Sequence, residues 1–140
     1  NYGAKNIKRV KDTTIKGTIL ELVGSIIIVL GCVLFGRNLL SLFTDDVNVI
    51  NIGLQMLNFL ALAWPIFNII EVISSVTKAC GDVMVPMIIS AIGICVVRIV
   101  WLSVYPYKSV IEALWCYPIS WIITSIAFVI YYVRGKWLKA

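Results

Sequence analysis

The sequence has no histidine, few charges and no closely spaced cysteine pair. Lacking histidine, it has neither the commonest metal ligand nor the side chain that titrates nearest neutral pH. The four cysteines, Cys32, Cys80, Cys95 and Cys116, are too scattered for a CxxC-type zinc or redox motif, and they read as small apolar residues at helix interfaces. No cluster of acids and no nucleophile–base constellation is visible, so no enzyme, metal centre or cofactor is expected. Charge is equally scarce: 14% of residues are charged and 61% are apolar. Typical soluble chains carry about 25% charged and about 45–50% apolar residues. With a mean hydropathy of +0.98, there is too little polar surface to coat a water-soluble globule, so lipid must cover much of the outside.

The apolar residues are grouped. Charge-free runs cover 22–36, 47–70, 83–97 with 99–107, and 113–133. A helix rises about 1.5 Å per residue, so about 20 residues cross a hydrocarbon core. Four crossings are the simplest reading, an all-α polytopic bundle with spans at about 15–35, 53–77, 84–105 and 112–133. This count places Glu21 and Arg98 inside the membrane. Residues 1–14 read as a basic loop in which Ile7, Val10 and Thr14 share one face, the pattern of a short amphipathic segment at the headgroups. The polar, basic opening does not read as a secretory leader. A chain opening on Asn1 is expected to be a piece of something longer.

The cations are unevenly placed. Lys5, Lys8, Arg9, Lys11 and Lys16 precede the first span, Lys78 sits in the second turn, and Arg134, Lys136 and Lys139 follow the fourth. Only Arg37 and Lys108 fall on the other side, beside Asp45, Asp46 and Glu112. By the positive-inside rule both ends are cytoplasmic. Juxtamembrane lysines facing membrane lipids explain the basic opening, and no nucleic-acid partner is needed.

Within the spans, Gly17, Gly24 and Gly31 recur every seven residues on one face, where small residues let a neighbouring helix approach closely. Thr44 reads as a helix cap followed by two acids against the positive dipole end. Pro65 interrupts the backbone hydrogen bonding of the second span and marks a helix bend. Gly81 reads as a left-handed helix end, and Pro86 as a first-turn proline. Tyr117, Tyr131, Tyr132 and Trp137 read as interface aromatics.

Three ionisable residues fall within membrane depth, where a charge usually faces a cavity or a partner. Glu21 is near enough to the basic end to meet Lys16 or Lys11. Glu71 and Arg98 lie at depths of about 16 and 24 Å from the turn near Asp82, on sequential helices, and a long arginine side chain can bridge part of that offset to form an ion pair. It would be either a static bridge that fixes register or a carboxylate whose partner changes between two states. Asn68 and Ser75 extend Glu71 into a polar stripe on one face. Glu71, Arg98 and Asn68 are the candidate ion- or substrate-binding residues.

Several stretches resemble, in order along the chain, the multidrug and toxic-compound extrusion (MATE) transporters. NYGAKNIKRV resembles the family's loop before a basic segment, and FGRNLLSLFTDD the outer loop that follows. KACGDVMVPM looks like its RGxGDxxxPM turn, while GICVVRIVW and the YPISW stretch at 117–121 match the pattern of bacterial members in the last two helices. Lys78 stands where arginine is usual, and Ala79 and Cys80 replace the glycine and its neighbour. Some sodium-coupled members place an aspartate where this chain has Phe67 or Asn68. The resemblance implies the last four helices of a twelve-helix exporter built of two six-helix lobes. Such an exporter moves organic cations and other xenobiotics out across a bacterial cytoplasmic membrane, coupled to Na+ or H+. The remaining helices of the same transporter would then be this chain's partners. The alternatives are a lipid-linked-oligosaccharide flippase of related architecture and a non-transporting four-helix scaffold.

Overall fold

The computed structural model describes residues 2–138. Asn1, at the head of NYGAKNIKRV, and Lys139, one of the cations of the basic end, lie outside the described residues. Four helices are long and apolar enough to span a membrane: α1 (Ile7–Ser41), α2 (Val47–Ala79), α3 (Met84–Val104) and α4 (Val110–Val133). No strand occurs among the described residues. The protein is an all-α, multi-pass membrane bundle.

Each helix begins where the local chemistry allows. Asn6 accepts the Arg9 amide at 3.0 Å and starts α1. Asp46, not Thr44, caps α2, its carboxylate accepting from Asn48 N at 2.8 Å and Val49 N at 3.4 Å. Thr44 Oγ1 instead accepts from Asp46 N at 3.2 Å and tightens the turn before the cap. The acid wins because a charged acceptor at the N-cap also meets the positive helix end. Gly81, with φ +92°, ends the α2 turn in the left-handed region, as its sequence context suggests. Ser109 caps α4, its Oγ accepting from Glu112 N, while the Glu112 carboxylate reaches back past the cap and accepts from Lys108 N at 2.6 Å.

α1 has 35 residues, about 52 Å of helix and far more than a bilayer core needs. Its first turns therefore extend the basic opening as continuous helix from Ile7. They do not lie as a separate surface segment: Val10 is buried with Cys80 and Trp137 in a small apolar cluster at the basic end. Trp137 and Cys80 are distant in sequence, so this partner for the Val10 face is not visible locally.

The packing order is α1, α2, α4, α3. α1 lies along α2, α2 packs on α4, and α3 packs on α4 while touching α2 only near its start. Burial follows: 44% of the most apolar stretch of α4 and 33% of that of α2 are covered, against 11% for α1 and 6% for α3. The central core is Ile70, Trp121 and Phe128, with Ala63, Ile66, Phe67 and Ile89 against it. The Gly17–Gly24–Gly31 face of α1 is not used by this core. A Cβ added at any of the three would meet no atom within 4 Å, so the helix contact expected there is not made by α2, α3 or α4.

α3 is not a uniform α-helix. Ala91–Val96 forms a π-type turn, in which i→i+5 bonding brings residues five apart toward one face. In an α-helix, Gly93 and Arg98 would point about 140° apart. Here both face α4: Gly93 is buried so tightly on Thr124 that a Cβ would collide with its side chain, and Arg98 reaches Ser120. A reading based on a 3.6-residue period cannot anticipate this turn.

Candidate functional site

Two polar groups sit within membrane depth on different seams. The first is on α1 and α2. Asn68 Nδ2 donates to Ser25 Oγ at 2.7 Å, and both residues are buried. The helices are antiparallel, so four residues back on α1 and three forward on α2 reach the same level, one turn away on the same faces. Those residues are Glu21 and Glu71, which the Asn68–Ser25 bond sets level on adjacent helices. Glu71 lies about 12 Å inside the end of α2, by the rise of eight residues. Among the described residues no cation forms an ion pair with either acid. Glu21 thus makes no ion pair with Lys11 or Lys16. The stripe Asn68–Glu71–Ser75 divides accordingly: Asn68 is 2% exposed, whereas Glu71 and Ser75 are open.

The second group surrounds Arg98. No ion pair joins Arg98 to Glu71. A pairing inferred from depth assumed that α3 runs beside α2, whereas α4 separates α2 from the second half of α3. Arg98 Nε donates to Ser120 Oγ at 3.2 Å. Its guanidinium carbon lies 4.1 Å from the ring centre of Tyr117 and 6.0 Å from that of Trp121. Tyr117 therefore acts as a platform for a cation. Trp121 packs edge-on to Tyr117 and meets Phe67 at 5.5 Å and Trp64 at 6.1 Å between ring centres. The result is a wall of four rings running from Arg98 to the Pro65 region of α2.

Pro65 lies inside α2, which continues through it. Having no N–H, it leaves the Ala61 carbonyl without its usual intrahelical donor. Nearby, Ser125 Oγ donates to the Ile66 carbonyl at 3.1 Å and ties this segment to α4. At the basic end, Tyr131 donates to the Asp82 carboxylate, joining the α2–α3 turn to α4.

Sequence reasoning singled out Glu71, Asn68 and Arg98, but their partners Ser25, Ser120 and Tyr117 escaped it. The signals were present. Ser25 is four residues from Glu21, and Tyr117, Ser120 and Trp121 share one helical face within YPISW.

Residues 1–103 match the MatE family model. That match spans α1, α2 and nearly all of α3, and it ends before the YPISW stretch. No curated protein and no solved structure matches the chain. The fold defines a multi-pass membrane helix bundle with polar groups held on internal seams. The chain belongs to the MatE family, whose members are membrane transporters, not enzymes.

Proposed function

We propose that this chain is the last four helices of a twelve-helix exporter. In this reading the exporter carries organic cations and other xenobiotics outward across a bacterial cytoplasmic membrane, in exchange for inward Na+ or H+. The observation that carries the coupling part of the reading is the Asn68–Ser25 bond, which brings Glu21 and Glu71 to one level, one turn away, on the α1–α2 seam. Charged carboxylates at membrane depth are costly unless a cavity, a proton or a cation accompanies them. One proton or one small cation shared by the two lowers that cost. Its departure restores the cost and biases α1 against α2, so one ion event becomes a choice between two packings.

In this reading the basic ends of the chain face the cytoplasm, with membrane lipids around the bundle. The open Gly17–Gly24–Gly31 face of α1 is where further helices of the same molecule pack, supported by the empty space beside those glycines. Pro65 supplies a bend in α2 beside the aromatic wall. A flippase for lipid-linked oligosaccharides would favour a strongly cationic cavity, and of the three ionisable residues at membrane depth, Glu21, Glu71 and Arg98, two are acids. Membership of a transporter family weighs against a passive scaffold.

The test is efflux of ethidium from cells expressing the full protein, with and without an imposed sodium or proton gradient, for wild type and Glu71→Gln. Gradient-dependent efflux that falls about tenfold or more in an equally expressed Glu71→Gln variant supports the reading. Efflux that is present but indifferent to both gradients contradicts it.

A further inference from the structure

Trp137, which follows α4 at the basic end, has 0% of its surface exposed. The chain itself supplies that cover, so it does not wait on further helices. The indole shares an apolar cluster with Val10 of α1 and Cys80 of the α2–α3 turn. With Leu138 it also faces Lys11, Thr14 and Thr18 of α1 across a cleft. α1 packs along α2 and has no comparable packing on α4. At this end, residues 134–138 are what joins α4 to α1.

This hook is shaped locally. Gly135 takes φ +67°, a left-handed conformation in which a side chain is strained. Its amide donates to the Tyr132 carbonyl at 3.1 Å, and the Leu138 amide donates back to the Gly135 carbonyl at 3.0 Å. The Trp137 indole N–H donates to the same Tyr132 carbonyl at 2.9 Å, and its ring stacks on Tyr132 at 4.9 Å between centres. Among the described residues, every hydrogen bond of the hook stays within the hook and the last turn of α4. Its grip on α1 is apolar contact alone, so undocking loses burial but breaks no hydrogen bond.

The α2–α3 turn is held differently. Tyr131 donates to the buried Asp82 carboxylate, and the amides of Cys80, Gly81 and Asp82 donate to carbonyls of α2. These ties do not involve the hook. The weaker joint is the one between the hook and α1.

We infer that residues 134–138 form a clasp that pins the start of α1, and that its release frees α1 while the turn and α4 stay joined. Val10 and Glu21 are eleven residues apart, about three turns, so they share one face of α1 about 16 Å apart. Release opens that face from the basic end. In the exporter reading, on which this role rests, it is the step that lets the coupling ion leave Glu21 and Glu71 toward the cytoplasm. The clasp itself does not depend on that reading.

The experiment is amide hydrogen exchange, read by mass spectrometry, on the full protein in phosphatidylcholine nanodiscs. Exchange reports the local opening equilibrium of each segment. Trp137→Ala is expected to speed exchange in residues 11–18 about tenfold or more, while residues 80–84 change less than about twofold. Trp137→Phe keeps the apolar plug and loses only a bond inside the hook, so residues 11–18 should stay near wild type. Gly135→Ala meets no neighbouring atom and strains only the hook's backbone, so it should loosen residues 11–18 without touching them. Tyr131→Phe should do the reverse, loosening residues 80–84 and sparing residues 11–18. Unchanged exchange at residues 11–18 in Trp137→Ala overturns the clasp, and so does an equal rise in both segments, which is a general loss of stability. In proteoliposomes, an imposed gradient with ethidium should raise exchange at residues 11–18 of the wild type. No rise in a protein that shows gradient-coupled efflux overturns the role in ion release. Selective loosening by Trp137→Ala in a protein without such efflux removes the exporter reading and leaves the clasp standing.

Discussion

Asn68 on α2 and Ser25 on α1 are joined by a 2.7 Å side-chain hydrogen bond, and both are buried between their helices. Ser25 is itself anchored, its hydroxyl donating to the Leu22 carbonyl at 2.9 Å. The bond therefore reads as a register pin. It fixes which residues of the two antiparallel helices stand level, and one turn away those residues are Glu21 and Glu71. A slip of one residue along α1 would carry Glu21 about 100° around the helix, off the seam.

Asn68→Ala is expected to lower stability by about 0.6–1.7 kcal/mol, the range of interhelical hydrogen bonds in membranes. Thermal unfolding of the purified protein in detergent checks this. Ser75→Ala, on the open side of the same helix, should leave the midpoint unchanged.

Gly93→Ala places a methyl against the Thr124 side chain. A clash of that kind costs about 1–3 kcal/mol. Thr124→Ala in the same chain removes the colliding atoms, so the double variant should recover most of the loss. Additive losses in the unfolding midpoint would show that Gly93 and Thr124 do not meet.

Tyr131→Phe removes the hydroxyl that donates to Asp82 and leaves a carboxylate that is 4% exposed without this donor. A hydrogen bond to a charged group contributes about 1.5–3 kcal/mol, and the same loss is expected in the unfolding midpoint. Asp82→Asn, which keeps an acceptor for the phenol, should cost less than Tyr131→Phe.

Burial pushes the Cys80 thiol above its ordinary pKa. The folded state thus holds this proton more tightly than the unfolded chain. The associated stability is fully present below the ordinary thiol pKa and is lost as pH rises through the higher, folded value. Alkylation of Cys80 by N-ethylmaleimide, followed by mass spectrometry, should be slower in the folded protein than in the unfolded chain at every pH. Its rise should also come at higher pH than in the unfolded chain.

The membrane class and the four helices were legible because apolar run length and charge scarcity are local properties. Gly81 and Pro86 were legible for the same reason: each answers to its immediate neighbours. The neighbours of each helix were not. Glu71 was expected across from Arg98 because the two helices follow one another, whereas α4 inserts between them and Arg98 turns to Ser120 and Tyr117. The π-type turn that aims Arg98 leaves no mark in a sequence read with one helical period. The glycine face of α1 was legible as a packing surface, but these helices do not cover it.

The most direct measurement is gradient-driven ethidium efflux by four forms of the full protein: wild type, Glu21→Gln, Glu71→Gln and the double variant. If the two carboxylates hold one shared proton or cation, each single change already destroys the coupling site. Each single variant should then lose about tenfold or more, and the double variant should lose no more than the worse of the two. Losses that multiply in the double variant, or a Glu21→Gln form that couples like wild type, would contradict a shared site on the α1–α2 seam.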